Sequence, residues 1–449
     1  MIDLNTYVAA TRFGLGLRPG EAAALEGNPK QWLIQQINSP RVTTPALSAL
    51  PSTQQAMQHM LELYKERKEA KEAGDPKVKI GKEFKAAFID DMRARLQQAI
   101  TTPTPFYERL VDFWSNHFCV SIKKERVASI AGAYEREAIR PNVTGKFIDM
   151  LLASAHHPAM LMYLDNAQSI GPNSIAGQRR GKGLNENLAR EIMELHTLGV
   201  DAGYTQEDVT NFAKVLTGWT IAPLNDPTPG VFQFLPRRHE PGAQMVFGNT
   251  YDDNGEDQGI AVLHAFAAHP ATAHHIATKL VRHFVADTPP DAVIERIATV
   301  FSNSGGDLPQ VYAELINAPE AWDVRANPKI KSSYDLIVSA ARATAPSQDD
   351  DLDYALRSLN FLGDIPFTAD SPAGLPDTAN DIAGPDAMIR RVQWAQMTSK
   401  KMETALSPSE FMGLTIGPIA SDSTRSVIQD AKGQEGIAIA MGSPEFQRR

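Results

Sequence analysis

LNENLAREIMELHTLGVDAGYTQEDVTNFAKVLTGWT, residues 184–220, spells two amphipathic helices separated by a glycine stop. On a wheel of roughly 100° per residue, Leu184, Leu188, Ile192 and Leu195 share one arc. Glu186, Arg190 and Glu194 fall opposite at i, i+4 spacing, a solvated ladder worth about 0.3 kcal/mol per pair. Gly199 suits a helix stop. Thr205 then reads as an N-cap, with Asp208 three residues on in the manner of a capping box. Val209, Phe212, Ala213 and Leu216 form the buried stripe of the second helix, which Gly218-Trp219 ends.

Outward from this pair the pattern stays helical. Phe88, Ile89, Met92, Leu96 and Ile100 line one side of a helix, and Phe106, Leu110, Phe113 and Trp114 line another. Several helices open with proline, as in His157-Pro158-Ala159, His269-Pro270-Ala271, Ala318-Pro319-Glu320 and Ser443-Pro444-Glu445. Proline fits the first helical position because the N–H it lacks would have no partner there. Strand signals are few: residues 231–235 and 245–247, split by the turn-rich RRHEPGA, predict one hairpin. Residues 345–352 and 363–386 are rich in Pro, Gly and Asp and read as a linker and a long loop. The expected fold is mainly α, a multi-helix globular array with a small β-hairpin insertion near 231–251. Residues 1–345 form the main helical domain, and residues 346–449 a loop-rich helical extension packed on it.

Composition sets bounds on function. With 43% apolar and 22% charged residues, the 449-residue chain has the make-up of a folded globular protein large enough for a sizeable core. The net charge of 44 − 53 = −9 argues against a nucleic-acid partner. The charge-dense run 62–86 mixes both signs and reads as a solvated helix and connector. No apolar run approaches the roughly 20 residues of a membrane span. MIDLNTYVAATRFGLG lacks the basic segment and apolar block of a secretory signal. That points to the cytoplasm, or to the periplasm by export with a bound partner. Cys119 stands alone, which excludes an internal disulfide and a cysteine zinc cage; its helix-like apolar context suits a packing residue.

Polar groups on the first helix are the functional candidates. Glu191 sits at the edge of the apolar arc, where partial desolvation raises a carboxyl pKa unless a donor satisfies it. It serves either as an acid–base group or as a buried structural acceptor, and Asn187, one turn earlier, fits either role. His196 lies about 140° round from Glu191 on a straight helix, so the two do not make a metal pair by themselves. A metal would need His117 or His239 from elsewhere. Tyr204 sits in the connecting turn, where functional side chains are common.

Arg179-Arg180-Gly181-Lys182-Gly183, followed by Asn185, precedes this helix and offers an anion site or a solvated loop. His275, Lys279 and Arg282 share one helix face. That face is either solvated or one wall of an anionic pocket together with Arg237, Arg238 and His239. His117 follows Phe113-Trp114 and suits a buried hydrogen-bonded role. No P-loop, Gly-x-Ser-x-Gly elbow, dinucleotide fingerprint or metalloprotease motif occurs, so no cofactor is named.

ATRFGLGLRPGE (10–21), LVDFWSNHFCVS (110–121), NENLAREIMELHTLGVDAGYTQEDV (185–209) and VLTGWT (215–220) resemble the bacterial family called domain of unknown function 1800. So do RRHEPGAQMVFGNTY (237–251), HPATAHHIATKLVRHFVAD (269–287) and SPEFQRR (443–449). The resemblance runs through nearly the whole chain in order. It implies a mainly helical fold and a partner of the family called domain of unknown function 1501, a sulfatase- or phosphatase-like protein. It brings no established catalytic residues. GDIPFTADSPAGLPDT (363–378) departs from the tryptophan- and glycine-rich form the family leads one to expect, which bears on substrate preference if that loop borders a pocket.

Three functional expectations follow. One is a hydrolase or group-transfer enzyme acting on a polyhydroxylated or anionic substrate. In it Glu191 is the acid–base group, assisted by His196 and Asn187, and Arg179, Arg180, Asn185, Tyr204, Arg238, His239 and Lys279 bind substrate. Another is a non-catalytic binding or assembly partner of the phosphatase-like protein. A metal-binding protein using His117, His196 or His239 is a third.

Overall fold

Helix starts follow the chemistry of the chain. Pro105, Pro158, Pro270 and Pro408 each occupy a first turn. His157 and His269 take the place of the usual Ser or Asp cap: each imidazole Nδ1 accepts the backbone N–H two residues on, at 3.1 Å. Thr205 and Asp208 form the expected reciprocal box, with Asp208 N–H on Thr205 Oγ1 at 3.2 Å and Thr205 N–H on Asp208 Oδ2 at 2.8 Å. Two of the proline openings do not start α-helices. Pro319 begins a 3-10 turn, Pro319–Trp322. Ser443-Pro444-Glu445 follows the helix Gln434–Gly442 and opens only turns, with Gln447 N–H on Ser443 O (3.2 Å), before Arg448 bridges to Ile330.

The computed structural model describes residues 2–39, 41–72, 80–180, 183–345, 349–401 and 404–449. Gly181 and Lys182, part of the charge-dense run and part of the linker lie outside the described residues. The fold is mainly α, with two small antiparallel two-stranded sheets among the described residues. No described helix is long and apolar enough to cross a membrane.

The expected single hairpin is instead two. Phe232–Phe234 pairs with Trp219–Ile221, and Gln244–Val246 pairs with Asn249–Tyr251. The physical reason for the second is local. Phe247 and Gly248 both have positive φ (48° and 77°), the conformation of a two-residue primed hairpin turn. The first pairing needs the Gly218–Trp219 turn at the end of Gln206–Val215, which no short-range pattern announces.

The central segment also departs from a straight helix. Asn187–Glu191 is α-helical, but Ile192–His196 is a π-turn. Gly199, at φ 85°, closes it with its N–H on Met193 O (3.0 Å), and Thr197 Oγ1 donates to Ile192 O (2.6 Å). Such widened turns push carbonyls off the helix axis and recur at functional sites.

One apolar core runs from Tyr7 to Phe446. Phe13 packs on Phe106 and Phe284 (5.8 Å each), and Trp114 Nε1–H donates to Tyr312 OH (2.6 Å), which donates onward to Val143 O. Fully buried arginines tie the ends of the chain to this core. Arg109 donates to Gly14 O (2.6 Å), and Arg342 to Gly16 O (2.8 Å). Gly16 has φ 95°, and a Cβ there would meet Ser339 Cβ at 3.1 Å, so glycine is required.

Candidate functional site

Three elements enclose a cavity of about 570 Å³: the end of the Pro105–His117 helix, one face of Pro270–Phe284, and the loop beginning at Gly363. His117, Cys119, His275, Lys279 and Arg282 line one side, and Phe367, Leu375, Pro376 and Asp377 face them. Asp112, His283, Asp335, Asp364, Asp381 and Arg449 are among the other lining residues. The size is that of a small-molecule site.

The helical face His275, Lys279, Arg282 is therefore one wall of this enclosure. Its order comes from the π-turn. The Nε2–H of His117 donates to the His196 carbonyl (3.1 Å), and the Nε2–H of His275 donates to the Leu195 carbonyl (3.0 Å). Those are the terminal carbonyls of Ile192–His196, which a helix end leaves without intrahelical partners. A carbonyl can only accept, so both rings carry their proton on Nε2 and keep a lone pair on Nδ1. His117 Nδ1 and His196 Nε2 are buried without partners. Burial, reinforced by nearby Lys279, pushes His196 down to about 3, His275 to about 4 and His117 well below its ordinary value. All three are neutral imidazoles at physiological pH.

Lys279 has no hydrogen bond or ion pair among the described residues, and neither does Arg282. Burial lowers the Lys279 amine to about 8, and Asp377 only partly opposes this. The anionic groups of the lining are mostly committed elsewhere. Asp112 pairs with Arg95 (2.8 Å), Asp335 with Arg109 (3.0 Å) and Arg449 (3.3 Å), and Asp377 with His283 (3.4 Å). Lys279 and Arg282 are lining cations without such a partner, while Asp364, which accepts from Ser333 Oγ (3.1 Å), and Asp381, which accepts from Thr378 Oγ1, are lining carboxylates bonded to hydroxyls. Cys119 is buried in extended backbone just past the helix end, not within a helix, and burial pushes its thiol up to about 12.

The 363–382 loop is pinned at several points. Asn116 grips Leu375 with both ends of its amide, accepting its N–H (2.7 Å) and donating to its carbonyl (2.9 Å). Ser121 Oγ donates to Ala369 O (2.8 Å), and Ile122 N–H to Phe367 O (2.9 Å). Asp287 accepts the Ala379 N–H (2.7 Å) and pairs with Lys329, whose ammonium also donates to Asp377 O (2.8 Å). The segment whose sequence departs from the family pattern is thus a wall of the cavity.

The residues singled out from sequence fall into three places. Lys279 lines the cavity, and His196 lies behind its wall, with its ring 6.1 Å from that of His117. Glu191, Asn187 and Tyr204 sit along the outer side of the central helix and turn. Glu191 is half-buried, and burial and then Glu194 raise its carboxyl; Tyr163 is close enough to feel its charge. It does not line the cavity. Asn187 is exposed, its N–H taken by Asn185 Oδ1 (2.9 Å). Tyr204 engages Glu194 and is raised by burial to about 12.

The remaining residues gather around 166–186. Asn185 N–H donates to Ser169 Oγ (3.1 Å), Arg238 donates to Ala167 O (3.2 Å), and His239 Nδ1–H donates to Thr217 O (2.8 Å). Arg179 is exposed at the end of Ile175–Arg180; the Arg180 side chain lies outside the described residues. Arg238 and His239 therefore do not join Lys279 in one wall. Among the described residues no three His, Cys, Asp or Glu side chains are grouped to hold a metal ion, and His239 pairs with Asp253 rather than meeting His117.

Sequence reasoning did not find Asp377, His283, Asp335 or Arg449. Only SPEFQRR, which ends at Arg449, and the unusual loop containing Asp377 drew attention to their segments. A family model described as "Protein of unknown function (DUF1800)" matches residues 8–448. No curated protein and no solved structure matches.

Proposed function

Because the chain belongs to the DUF1800 family, whose function is unknown, we propose from the cavity itself that it is an enzyme. It would bind a small acidic, hydroxyl-bearing molecule there and carry out hydrolysis or group transfer on it. What supports this is Lys279: an amine without a hydrogen-bonded charge partner among the described residues, lining a partly open cavity of about 570 Å³ beside neutral histidines. Arg282, one turn on, supplies the fixed positive charge for an acidic group. Lys279 supplies a proton-transfer group whose pKa lies near working pH, where general acid–base catalysis is most effective.

Glu191 carries the competing acid–base assignment, as a half-buried carboxyl raised from its ordinary value by burial and then by Glu194. Calorimetric titration with sulfate, oxalate and D-glucuronate tests the binding. At least one should bind, and Lys279→Met and Arg282→Met should each weaken it by about tenfold or more, the scale of one charge-assisted hydrogen bond. Binding that survives both substitutions removes the cavity from the function. Once a turned-over substrate is found, Glu191→Gln separates the two assignments: full activity leaves the proton with Lys279.

A further inference from the structure

We infer that the cavity takes a small carbonyl compound bearing an acidic group, of the 2-oxo acid class, and holds it covalently as an imine on Lys279. This rests on the anion-binding reading above and adds the electrophile.

The geometry favours an amine nucleophile. Lys279 faces no carboxylate at pairing distance among the described residues, and Asp377 only partly opposes the burial that lowers its amine to about 8. His117 and His275, which flank it, are held as neutral rings by burial, with Nε2–H fixed on the His196 and Leu195 carbonyls, so they add no positive charge beside the amine. Lys279 and Arg282 are three residues apart on one helix and line the same space. A bound 2-oxo acid therefore presents its carboxylate to Arg282 while its carbonyl carbon faces the amine. On the facing loop Phe367, Leu375 and Pro376 supply apolar surface beside Asp377.

The step balances with these groups alone. The nitrogen lone pair forms a C–N bond, the carbonyl π pair moves to oxygen, and one proton of the nitrogen passes to that oxygen to give a carbinolamine. The nitrogen lone pair then forms the C=N bond as the hydroxyl leaves as water, taking the second amine proton. An unprotonated amine and a ketone or aldehyde yield an imine and one water, with no change in oxidation state.

The test uses the full chain with glyoxylate and sodium cyanoborohydride near neutral pH, read by intact mass and peptide mapping. The expected result is one reduced adduct per chain, on Lys279, and its loss in Lys279→Arg. Labelling spread over exposed lysines with no enrichment at Lys279 overturns the inference, and the wild-type map decides this even if the variant does not fold. A parallel titration with oxalate, which offers carboxylates without an electrophilic carbonyl, separates the two readings. Oxalate binding without an adduct overturns the imine and leaves the anion site. An adduct on Lys279 upholds the imine whatever oxalate does. Absence of both removes the imine and, for acids of this size, the anion site with it.

Discussion

The neutral histidines behind the cavity make acid a specific perturbation. His196 is 2% exposed, its Nε2 has no partner, and burial holds it at about 3 in the folded chain. In the unfolded chain it titrates at about 6.5. Because the folded pKa lies below the unfolded one, its contribution is whole above about 6.5 and is lost as pH falls toward the folded value. At about pH 5 the folded ring is still neutral and the unfolded ring is charged. The loss there is set almost entirely by the unfolded pKa: about 1.5 pH units, or about 2 kcal/mol. Carboxylates held low by partners titrate below this window, and those raised by burial, such as Glu191, contribute alike to wild type and to a His196 variant.

Urea unfolding of wild type and His196→Leu at about pH 7 and about pH 5 measures the effect. Leucine fills a similar volume and abandons no partner of Nε2. Wild type should lose stability on acidification, and the variant should lose about 2 kcal/mol less. His275 and His156, both at about 4, contribute in the same direction and remain in the variant. If the two proteins lose equal stability, His196 is not held neutral by burial, and the account of the histidine wall fails.

Asn116→Ala removes both bonds to Leu375 and should cost about 1–3 kcal/mol, seen as faster hydrogen exchange at Leu375 and its neighbours. Asp335→Ala leaves Arg109 and Arg449 buried without their shared carboxylate; a loss of about 3–5 kcal/mol in urea unfolding is expected. Competitive acetylation across a pH series should show Lys279 reacting with a midpoint at about 8, well below an ordinary lysine. Above the midpoint the free amine dominates, and below it protonation protects the residue. Lys279 reactivity that rises only near the ordinary lysine range would contradict its desolvation.

Local chemistry was legible in the sequence, and convergence was not. The Thr205–Asp208 box and the Glu186–Arg190–Glu194 ladder depend on residues three or four apart, and both are present. The His275, Lys279, Arg282 face was visible for the same reason. Whether that face met water or a cavity depended on a loop about a hundred residues later, fixed by Asn116 and Lys329. The π-turn escaped because every wheel assumes a uniform period, whereas here carbonyls are drawn off the axis toward histidines on two other helices. Asp335, Asp377 and Arg449 share a floor with no sequence proximity at all.

That widened turn also constrains how the chain can vary. With one residue fewer between Met193 and Thr197, the segment would close at ordinary pitch, and all that follows would step back by about 100° and 1.5 Å. His117 and His275 would then reach toward empty space where two oxygens had stood, and Gly199 would be displaced from beneath His275. Surface loops absorb insertions and deletions freely, but this buried turn tolerates neither. The extra residue works as a spacer that sets the register of three helices around one point.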